Sequence, residues 1–380
     1  MRVLTLNAGS RSHNVRLYDV PDDALGGAGA ISALEPPAPL WQDENEASDR
    51  GFASLLAAYD GPPPDLAAHR IVHGGEALAT TLAARIDATV RAQIEAAIPL
   101  APSHVPLALE GVDAVVARFG EGVDNVAVFD TLLGVDAPPF ATTCAVPAAW
   151  RERYGVRRYG FHGISQRDVL DRLEMLYGRD DGRRTISVHL GSGCSISAFE
   201  GRRAIETTMG LTPSEGLVMG TRSGSIDPGV IFTLLRAGMS PDDLERALAK
   251  ESGLLGLSGG RSSDTRDLTE ARDRGDSAAG FALAYDAYRV RWHIGALAAA
   301  TGGIDVLSFT GPVGEHVAEM RAAACAGLAF FGVAIDLARN AMARPDCDVA
   351  GSSSRVRIAV IRTLEEWAMA RLAAALARGR

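Results

Sequence analysis

The sequence predicts an α/β protein with two related lobes. A strand, a turn of small residues and a second strand open the chain, and the same pattern recurs near its middle. Elsewhere, short apolar runs alternate with segments of helical periodicity. The 380 residues are too many for one ordinary core and are enough for two domains. We therefore expect two α/β lobes with a ligand cleft.

The repeated pattern is that of a hairpin. The first copy spans residues 2–18 and turns at 7–10, and the second spans 186–199 and turns at 191–193. Small residues at such turns let phosphate oxygens approach backbone N–H groups. A single Gly-rich turn is more often an ordinary hairpin connection, but two turns in equivalent positions favour a ligand site.

The remaining elements are predicted from periodicity and punctuation. Apolar runs that end in Gly-rich or acidic turns, as buried strands near a ligand do, lie at 70–72, 126–129 and 304–309. Helical periodicity is clearest at 165–178, 241–250, 276–300 and 365–380. The stretch 20–48 carries Gly and Pro punctuation and is expected to be an irregular excursion.

Composition excludes several classes of function. The net charge of −9 disfavours a nucleic-acid or anionic-membrane surface. Glycine, arginine and histidine interrupt the long apolar stretches, so neither secretion nor membrane spanning is expected. The four cysteines show no CxxC pairing, which fits a reducing compartment such as the cytoplasm. A small ligand is the expected partner.

The basic residues exclude two familiar kinase designs. Lys250 is the single lysine and follows Ala249, so the Gly-Lys pair of a Walker A loop does not occur. The strand lysine and the His-Arg-Asp loop of protein kinases also have no counterpart. Anion binding is therefore expected from arginine, backbone N–H groups and a metal ion.

Eight segments resemble the acetate kinase family and follow its order. They are residues 6–10, 69–76, 129–131, 159–163, 209–213, 219–224, 251–257 and 263–267. The resemblance implies a two-lobed actin/Hsp70/sugar-kinase-like fold with duplicated βββαβαβα-type cores and an interdomain cleft. It places 1–133 with 364–380 in the first lobe, and 134–363 in a second lobe that would bind nucleotide and form a homodimer.

The resemblance also implies a reaction, the reversible transfer of the γ-phosphoryl group of ATP to a short carboxylate, giving acyl phosphate and ADP with Mg²⁺ as cofactor. The catalytic residues it implies are Arg70, Asp130, His162 and Arg222. Two arginines and a metal ion relieve the repulsion between a carboxylate nucleophile and a polyphosphate. Asn7 and Glu365 match the residues that help to hold Mg²⁺, although Glu365 at a helix start has stabilisation of that helix as an equal alternative.

Two further sets of residues match the ligand pockets of the family. The acyl pocket would be formed by Arg70, Val72, Ser103, Phe161 and Pro213. The nucleotide site would be formed by His189, Gly191, Ser192, Gly193, Asp264, Arg266, Gly311, Pro312, Val313, Gly314 and His316. Structural roles are an equal alternative for His189. Ser103 stands where the family usually has Leu, Pro312 where it has Gly and His316 where it has Asn, so both acid and nucleotide preference are open.

The sequence is also compatible with three alternatives to an acetate kinase. The wider pocket implied by Ser103 favours propionate or a hydroxylated acid as a neighbouring choice. A homologue that binds nucleotide or acyl phosphate with little turnover is a second alternative, supported by the altered loop at 311–316. A sugar kinase would need an aspartate base, for which Asp130 is the candidate.

Overall fold

The computed structural model describes residues 1–9, 12–22, 36–46, 51–134 and 136–379. The strands in these ranges are β1 (Arg2–Ala8), β2 (Ser12–Asp19), β3 (Trp41–Glu46), β4 (Leu66–Ile71), β5 (Ala83–Arg85), β6 (Asp124–Phe129), β7 (Arg184–Leu190), β8 (Cys194–Glu200), β9 (Arg203–Thr207), β10 (Val306–Thr310), β11 (Cys347–Asp348) and β12 (Arg357–Val360).

The α-helices of the same ranges are α1 (Phe52–Ala57), α2 (Ala88–Ala96), α3 (Val105–Phe119), α4 (Pro139–Thr142), α5 (Ala148–Tyr154), α6 (Gly163–Tyr177), α7 (Pro228–Arg236), α8 (Pro241–Arg246), α9 (Gly253–Leu257), α10 (Thr265–Asp273), α11 (Ser277–Ala300), α12 (Gly311–His316), α13 (Ala318–Cys325), α14 (Leu337–Ala341) and α15 (Glu365–Ala377). Short 3₁₀ turns occupy Ile98–Leu100 and Ala329–Phe331, and a π-helical turn occupies Ala247–Glu251. Among the helices of the described residues, none has the length and apolar character needed to span a bilayer.

The first unit of the chain comprises Met1–Asp136, Cys144–Arg179 and Leu364–Arg380. It contains a six-stranded sheet in the order β3-β2-β1-β4-β6-β5. β1 is antiparallel to β2 and parallel to β4, and β4 is parallel to β6. The carboxyl ends of these three parallel strands therefore meet at one edge of the sheet, where side chains from distant parts of the sequence are brought together.

The first sheet is covered by helices on both faces because successive side chains of β1 point to opposite sides. Val3 packs in a cluster with Trp367 and Ala370 of α15. Leu4 packs in a second cluster with Phe52 of α1 and Val115 of α3. The C-terminal helix α15 thus contributes to the core of the first unit.

The second unit, Ala137–Thr143 with Asp180–Thr363, repeats this architecture. Its sheet has the order β11-β12-β10-β7-β8-β9. β7 is antiparallel to β8 and parallel to β10, and β10 is parallel to β12. The strand order and directions match those of the first sheet element by element, so the predicted duplicated α/β core is confirmed.

The structure confirms both predicted hairpins and the main helices. The hairpins are β1–β2 and β7–β8, with Ala8 opposite His13 and Leu190 opposite Cys194. The predicted helices at 165–178, 276–300 and 365–380 correspond to α6, α11 and α15, of which α15 ends at Ala377. Ahead of α8, Ser240 Oγ accepts a hydrogen bond from the amide of Asp243 at 3.1 Å, as the capping pattern predicts.

The expectation of irregular structure across 20–48 is wrong for its last part. Residues 23–35, 47 and 48 lie outside the described part of the chain, but Trp41–Glu46 forms β3 along β2. The sequence of this strand, WQDENE, is polar and has no apolar alternation. Its extended structure comes from pairing with a neighbouring strand, which periodicity alone does not reveal.

The units differ from the predicted domains over residues 144–179. The prediction assigned this segment to the second lobe, but the structure includes it in the first unit. The physical reason is the packing of α6 against β6 and α15. Ile164 of α6 belongs to the same buried cluster as Val128 and Trp367.

Candidate active site

Arg70 and Asp130 lie together at the carboxyl edge of the first sheet. Arg70 is in β4, next to its last residue, and Asp130 follows the last residue of the adjacent parallel strand β6. The Asp130 amide donates to the carbonyl of Ile71 at 2.9 Å, which continues the strand pairing by one residue. Arg70 Nη2 then donates to Asp130 Oδ2 at 2.7 Å. The parallel pairing of β4 with β6 therefore brings Arg70 and Asp130 together.

Asn7 connects Arg70 with two acidic residues of α15. Its Oδ1 accepts a hydrogen bond from Arg70 Nη1 at 3.2 Å. Its Nδ2 donates to Glu365 Oε2 at 3.3 Å and to Glu366 Oε1 at 3.1 Å. Both glutamates are in the first turn of α15, where the helix dipole favours negative charge. Four predicted site residues, Asn7, Arg70, Asp130 and Glu365, are therefore brought into one cluster.

The charged groups of this cluster shift one another's pKa. Burial alone would lower the pKa of Arg70, but the carboxylates of Asp130 and Glu365 more than offset this and hold its pKa above the ordinary value. Arg70 Nη1 is 3.5 Å from Glu365 Oε2. Burial raises the pKa of Glu365 in spite of that arginine, and the nearby carboxylates of Asp130 and Glu366 act in the same direction. The cluster therefore has carboxylate groups that a further cation would stabilise.

His162 is held at the start of α6 in a left-handed conformation, with φ of 58° and ψ of 29°. Such a backbone is uncommon for residues other than glycine and costs roughly 1–3 kcal/mol. The next residue, Gly163, donates from its amide to the carbonyl of Asp130 at 2.7 Å. A Cβ at Gly163 would lie 2.5 Å from the carbonyl oxygen of Thr131, so only glycine allows this approach. This hydrogen bond places the predicted His162, the residue before Gly163, near the end of β6.

The predicted acyl-pocket residues of the first unit occupy different environments. Val72 and Phe161 are buried, and the Phe161 ring lies 5.4 Å from that of the buried His73. The amide of Gly75 donates to His73 Nδ1 at 3.0 Å. Ser103 is exposed, and its hydroxyl shares a 3.0 Å hydrogen bond with His104 Nδ1. Val72 and Phe161 thus have buried apolar side chains, whereas Ser103 faces solvent.

The second unit has a tight turn at 191–193, at the carboxyl end of β7. The Gly191 amide donates to the carbonyl of Gly193 at 3.1 Å, and the Cys194 thiol donates to the carbonyl of Gly191 at 3.4 Å. Burial raises the pKa of Cys194 to about 12, so this thiol is neutral and is not a nucleophile. His189 is the buried penultimate residue of β7. The predicted residues His189, Gly191, Ser192 and Gly193 are therefore contiguous around one turn.

Arg222 belongs to a segment that meets this turn. The Gly220 amide donates to the carbonyl of Ser192 at 3.4 Å. Arg222 Nη1 donates to the carbonyl of Pro213 at 3.0 Å and lies 3.6 Å from Met219 Sδ. The arginine is thus hydrogen-bonded to Pro213, a predicted residue of the acyl pocket.

The predicted adenosine segment also lies beside the turn. Gly311 has φ of +78°, and a Cβ there would lie 2.6 Å from the carbonyl oxygen of Leu190. Pro312 is in the first turn of α12, where proline is well tolerated because its missing N–H has no helical acceptor. Pro312 and His316 are exposed, Val313 is half-buried and Gly314 is buried. Replacement of glycine by Pro312 is therefore compatible with this backbone.

Asp264 and Arg266 form a local pair at the start of α10. Asp264 Oδ1 accepts from the Arg266 amide at 2.8 Å, and Arg266 Nη2 donates to Asp264 Oδ2 at 3.1 Å. The preceding carbonyl of Ser263 lies 3.1 Å from where a Cβ on Gly220 would stand. Arg266 is 83% exposed, so the arginine of this pair faces solvent. Gly220 and Gly311 therefore lie beside the end of β7 and its turn, and the Asp264–Arg266 pair follows Ser263, which lies beside Gly220.

Comparison with known proteins decides the family. A model of the Acetokinase family matches residues 64–371. The acetate kinase of Gloeobacter violaceus is 40% identical over 98% of this chain and 98% of its own. The chain belongs to the acetokinase family. The predicted family resemblance is confirmed.

Solved structures of the acetokinase type agree with the fold. The acetate kinase of Porphyromonas gingivalis is 32% identical, with a TM-score of 0.82 and full coverage of both chains. A propionate kinase of Francisella tularensis is 29% identical, with a TM-score of 0.84 and coverage of 97% of this chain and 98% of its own. The predicted two-lobed α/β fold class is confirmed. Members of the acetokinase family are phosphotransferases that act on a carboxyl group.

A magnesium ion would fit the donor set of this acetokinase-family chain. Among the described residues, no group of three or more His, Cys, Asp and Glu side chains forms a metal-binding cluster. Mg²⁺ bound with a nucleotide needs few protein ligands, because phosphate oxygens and water fill most of its octahedral shell. Glu365 Oε2 and Asn7 Oδ1, which lie 3.5 and 3.2 Å from Arg70 Nη1, are oxygen donors suited to such sparse ligation.

Two contributors to the first-unit cluster escaped sequence reasoning. Glu366 accepts from Asn7, and Arg16 Nη1 lies 3.6 Å from Glu366 Oε2. Glu366 directly follows the predicted Glu365 in the sequence. Arg16 is two residues after Asn14 and therefore lies on the same face of β2. Asn14 lies opposite Asn7 in the β1–β2 hairpin. The alternation of side chains along β2 is therefore the signal that would have identified Arg16.

Proposed function

We propose that this acetokinase-family chain catalyses reversible transfer of the γ-phosphoryl group of ATP to a short-chain carboxylate, producing acyl phosphate and ADP, with acetate as the default acid. The observation that carries the proposal is the Arg70 guanidinium, fixed by Asp130 at 2.7 Å and by Asn7 at 3.2 Å. A guanidinium fixed in this way is preorganised to receive an anion. The carboxylate nucleophile needs no base, so this positioning supplies what the reaction requires.

The other first-unit residues receive roles from their surroundings. Asp130, which is 1% exposed, orients Arg70. His162 donates a hydrogen bond to the transferring phosphoryl group and forms no covalent intermediate. Val72 and Phe161 line the apolar side of the acid site, and Ser103 sets its width. The fixed ring of Phe161 supports a pocket of defined shape.

The second unit supplies the nucleotide site and a second arginine. We assign the phosphates to the turn formed by His189, Gly191, Ser192 and Gly193, where Ser192 is exposed and small residues let phosphate oxygens approach the backbone. The nucleoside is assigned to Asp264 and Arg266 together with the segment containing Gly311, Pro312, Val313, Gly314 and His316. Arg222, held by Pro213 at 3.0 Å, stabilises the charge of the transferring group.

Asn7 and Glu365 are the proposed protein ligands of Mg²⁺. When bound, the metal neutralises phosphate charge and orients the polyphosphate. Arg70 keeps the side chains of both ligands in place through contacts at 3.2 and 3.5 Å. The role of the protein in this part of the site is to hold these oxygen donors beside a fixed guanidinium.

Hydroxamate trapping of acyl phosphate tests the proposal. Purified chain is incubated with ATP, Mg²⁺ and hydroxylamine, together with acetate, propionate, butyrate, lactate or glucose in separate reactions. We expect hydroxamate with the short acids and no ADP release with glucose, since no acid is then available. ADP formation with glucose would favour a sugar kinase. Nucleotide binding without hydroxamate from any acid would favour the second candidate, a sensor, for which the exposed His316 in the nucleotide segment is the supporting observation.

We also propose that the chain forms a homodimer through its second unit. Support comes from α11, on which Phe281, Tyr288 and Trp292 are each more than half exposed. These residues are seven and four positions apart, so they share one face of the helix. Light scattering of the wild type and of Trp292→Glu provides the test. A dimer that dissociates in the variant supports the proposal, and a monomeric wild type contradicts it.

The cytoplasm is the proposed compartment. ATP and short organic acids are both available there, and none of the four cysteines, which all lie within the described range 136–379, forms a disulfide. Fractionation of cells that express the chain provides the test, and recovery in the periplasmic or secreted fraction would contradict it.

A further inference from the structure

Thr363 lies at the point where the chain passes from the second unit to the first. The second unit ends at Thr363 and the first resumes at Leu364. Glu365, the proposed magnesium ligand, begins α15 two residues after Thr363. Two residues of extended chain span at most about 7 Å. A restraint on Thr363 is therefore also a restraint on the start of α15.

Thr363 is fixed by both ends of the segment that we assign to the nucleoside. Its Oγ1 accepts a hydrogen bond from the amide of Gly311 at 2.7 Å and shares one of 3.0 Å with Thr310 Oγ1. Its own amide donates to Glu315 Oε1 at 2.8 Å. One threonine thus contacts the first residue of α12 and a carboxylate near its end.

The nucleoside segment is restrained from a second side by Arg321. This guanidinium is almost fully buried, and its Nη1 donates to the carbonyls of Gly314 at 2.9 Å and Glu315 at 2.8 Å. Burial raises the pKa of Glu315 and lowers that of Arg321, so both groups have been withdrawn from water to make these contacts. Because α12 is attached at both ends, any movement that a nucleotide causes in it reaches Thr363.

We infer that Thr363 is a positioning residue that joins the nucleoside segment 311–316 to Glu365, so that nucleotide and magnesium binding depend on each other through its hydroxyl and amide. The inference rests on the proposed function, because it uses the nucleotide role of 311–316 and the metal role of Glu365. It adds a covalent path of two residues between them. Loss of the hydroxyl leaves the Gly311 amide without its acceptor and loosens both sites together.

Calorimetric titration of the full-length chain with ADP, in the presence and absence of magnesium chloride, tests this inference. We compare wild type, Thr363→Ala and Thr363→Ser. We expect Thr363→Ala to weaken ADP binding and to reduce the enhancement of that binding by magnesium, each by about three- to tenfold, the effect of one hydrogen bond. Thr363→Ser keeps the hydroxyl and should restore both quantities.

A matched control is available in Thr301→Ala. Thr301 Oγ1 also bonds to the backbone, donating to the carbonyls of Leu297 at 3.0 Å and Gly303 at 2.7 Å, but it lies at the end of α11 outside the nucleotide segment. We expect this variant to lose some thermal stability and to keep both binding quantities. A general loss of stability would therefore be distinguished from a loss of coupling.

Three results would overturn the inference. These are unchanged ADP affinity in Thr363→Ala, weaker ADP binding with an unchanged magnesium enhancement, and a Thr363→Ser variant that behaves as Thr363→Ala. Thr363→Ser removes one methyl group and keeps the hydroxyl. If Thr363→Ala does not fold, Thr363→Ser still tests the inference, which requires that its ADP affinity and magnesium enhancement stay near the wild-type values. The titration needs no turnover, so it remains decisive even if hydroxamate trapping shows no kinase activity.

Discussion

Arg70 Nη2 donates a 2.7 Å hydrogen bond to Oδ2 of Asp130, whose side chain is 1% exposed. Asp130 is thereby placed behind the guanidinium, where it orients Arg70. Its Oδ1 also accepts a 3.4 Å hydrogen bond from the amide of Ile164, in the first turn of α6. The carboxylate therefore positions both an arginine and the helix that begins beside His162.

Asp130→Asn is expected to lower kcat by about 100-fold, because a small displacement of a substrate-holding group has an effect of this size. The amide preserves the shape of the side chain but removes the charge that holds Arg70. Steady-state hydroxamate kinetics provide the measurement. Asp168→Asn is the control, since Asp168 is also buried and paired, with Arg172 at 3.1 Å, but belongs to the interior of α6. Equal losses of kcat in the two variants would contradict the assigned role.

Ser103→Leu is expected to shift preference toward acetate over propionate by about tenfold in kcat/KM, since one methylene of pocket space typically discriminates by ~1–3 kcal/mol. The larger side chain would narrow the acid site. A panel of short acids measures the change. Ser103→Ala removes the hydroxyl without filling space and should leave the preference for acetate no greater than in the wild type. An unchanged ratio in Ser103→Leu would remove Ser103 from the acid site.

His316→Asn and Pro312→Gly are expected to differ in effect. His316 is exposed at the end of α12 and is free to meet a base, so His316→Asn should lower the KM for ATP relative to GTP by up to about tenfold. Pro312 fits the first turn of the helix, so Pro312→Gly should only destabilise the chain, by ~0.5–1 kcal/mol. Nucleotide kinetics and urea unfolding measure these effects. A lower KM for ATP in Pro312→Gly alone would reverse the assignment.

Asp286 should make stability depend on pH. It is buried in α11, its Oδ1 has no hydrogen-bond partner among the described residues, and burial raises its pKa to about 7 from the usual 3.8. The folded state thus retains a proton that the unfolded state releases near pH 4. The stabilising contribution of the protonated form is complete below that pH and is lost as pH rises toward 7.

The free energy of unfolding of Asp286→Asn, relative to that of the wild type, should therefore increase between pH 4.5 and pH 8. The increase should be a few kcal/mol at most, since one pKa unit corresponds to about 1.4 kcal/mol. Urea unfolding at both pH values measures the difference. Asp276→Asn is the control. Hydrogen bonding by the Ala279 amide lowers the pKa of Asp276, so its contribution is present at both pH values and the variant should lose the same amount at each. No change between pH values in Asp286→Asn would contradict the prediction.

Local sequence signals predicted the parts of the fold that depend on local structure. The two hairpins were predicted because small-residue turns separate apolar strands. Helix α11 was predicted because helical periodicity continues over a long segment, 276–300. The short strand β5 and the polar strand β3 were not predicted. Their structure depends on neighbouring strands, and neither has an apolar pattern of its own.

The same distinction holds for the candidate site. Family motifs identified Asn7, Arg70 and Glu365, and these residues lie in one cluster. The contacts of Arg16 and Thr363 were not predicted, because they depend on where α15 and α12 pack. Residues that act through tertiary placement, with no motif around them, are those that sequence reasoning did not find.

Hydroxamate formation by wild type and Arg222→Ala, with ATP, Mg²⁺ and acetate, tests the central claim most directly. Loss of a guanidinium that stabilises transition-state charge should lower kcat by at least about 100-fold while the melting temperature stays within a few degrees of the wild type. Arg357→Ala, which removes an exposed arginine 3.7 Å from Asp348, should retain the wild-type rate. Equal rates in wild type and Arg222→Ala would contradict the claim that an arginine-assisted phosphoryl transfer to a carboxylate is the activity of this chain.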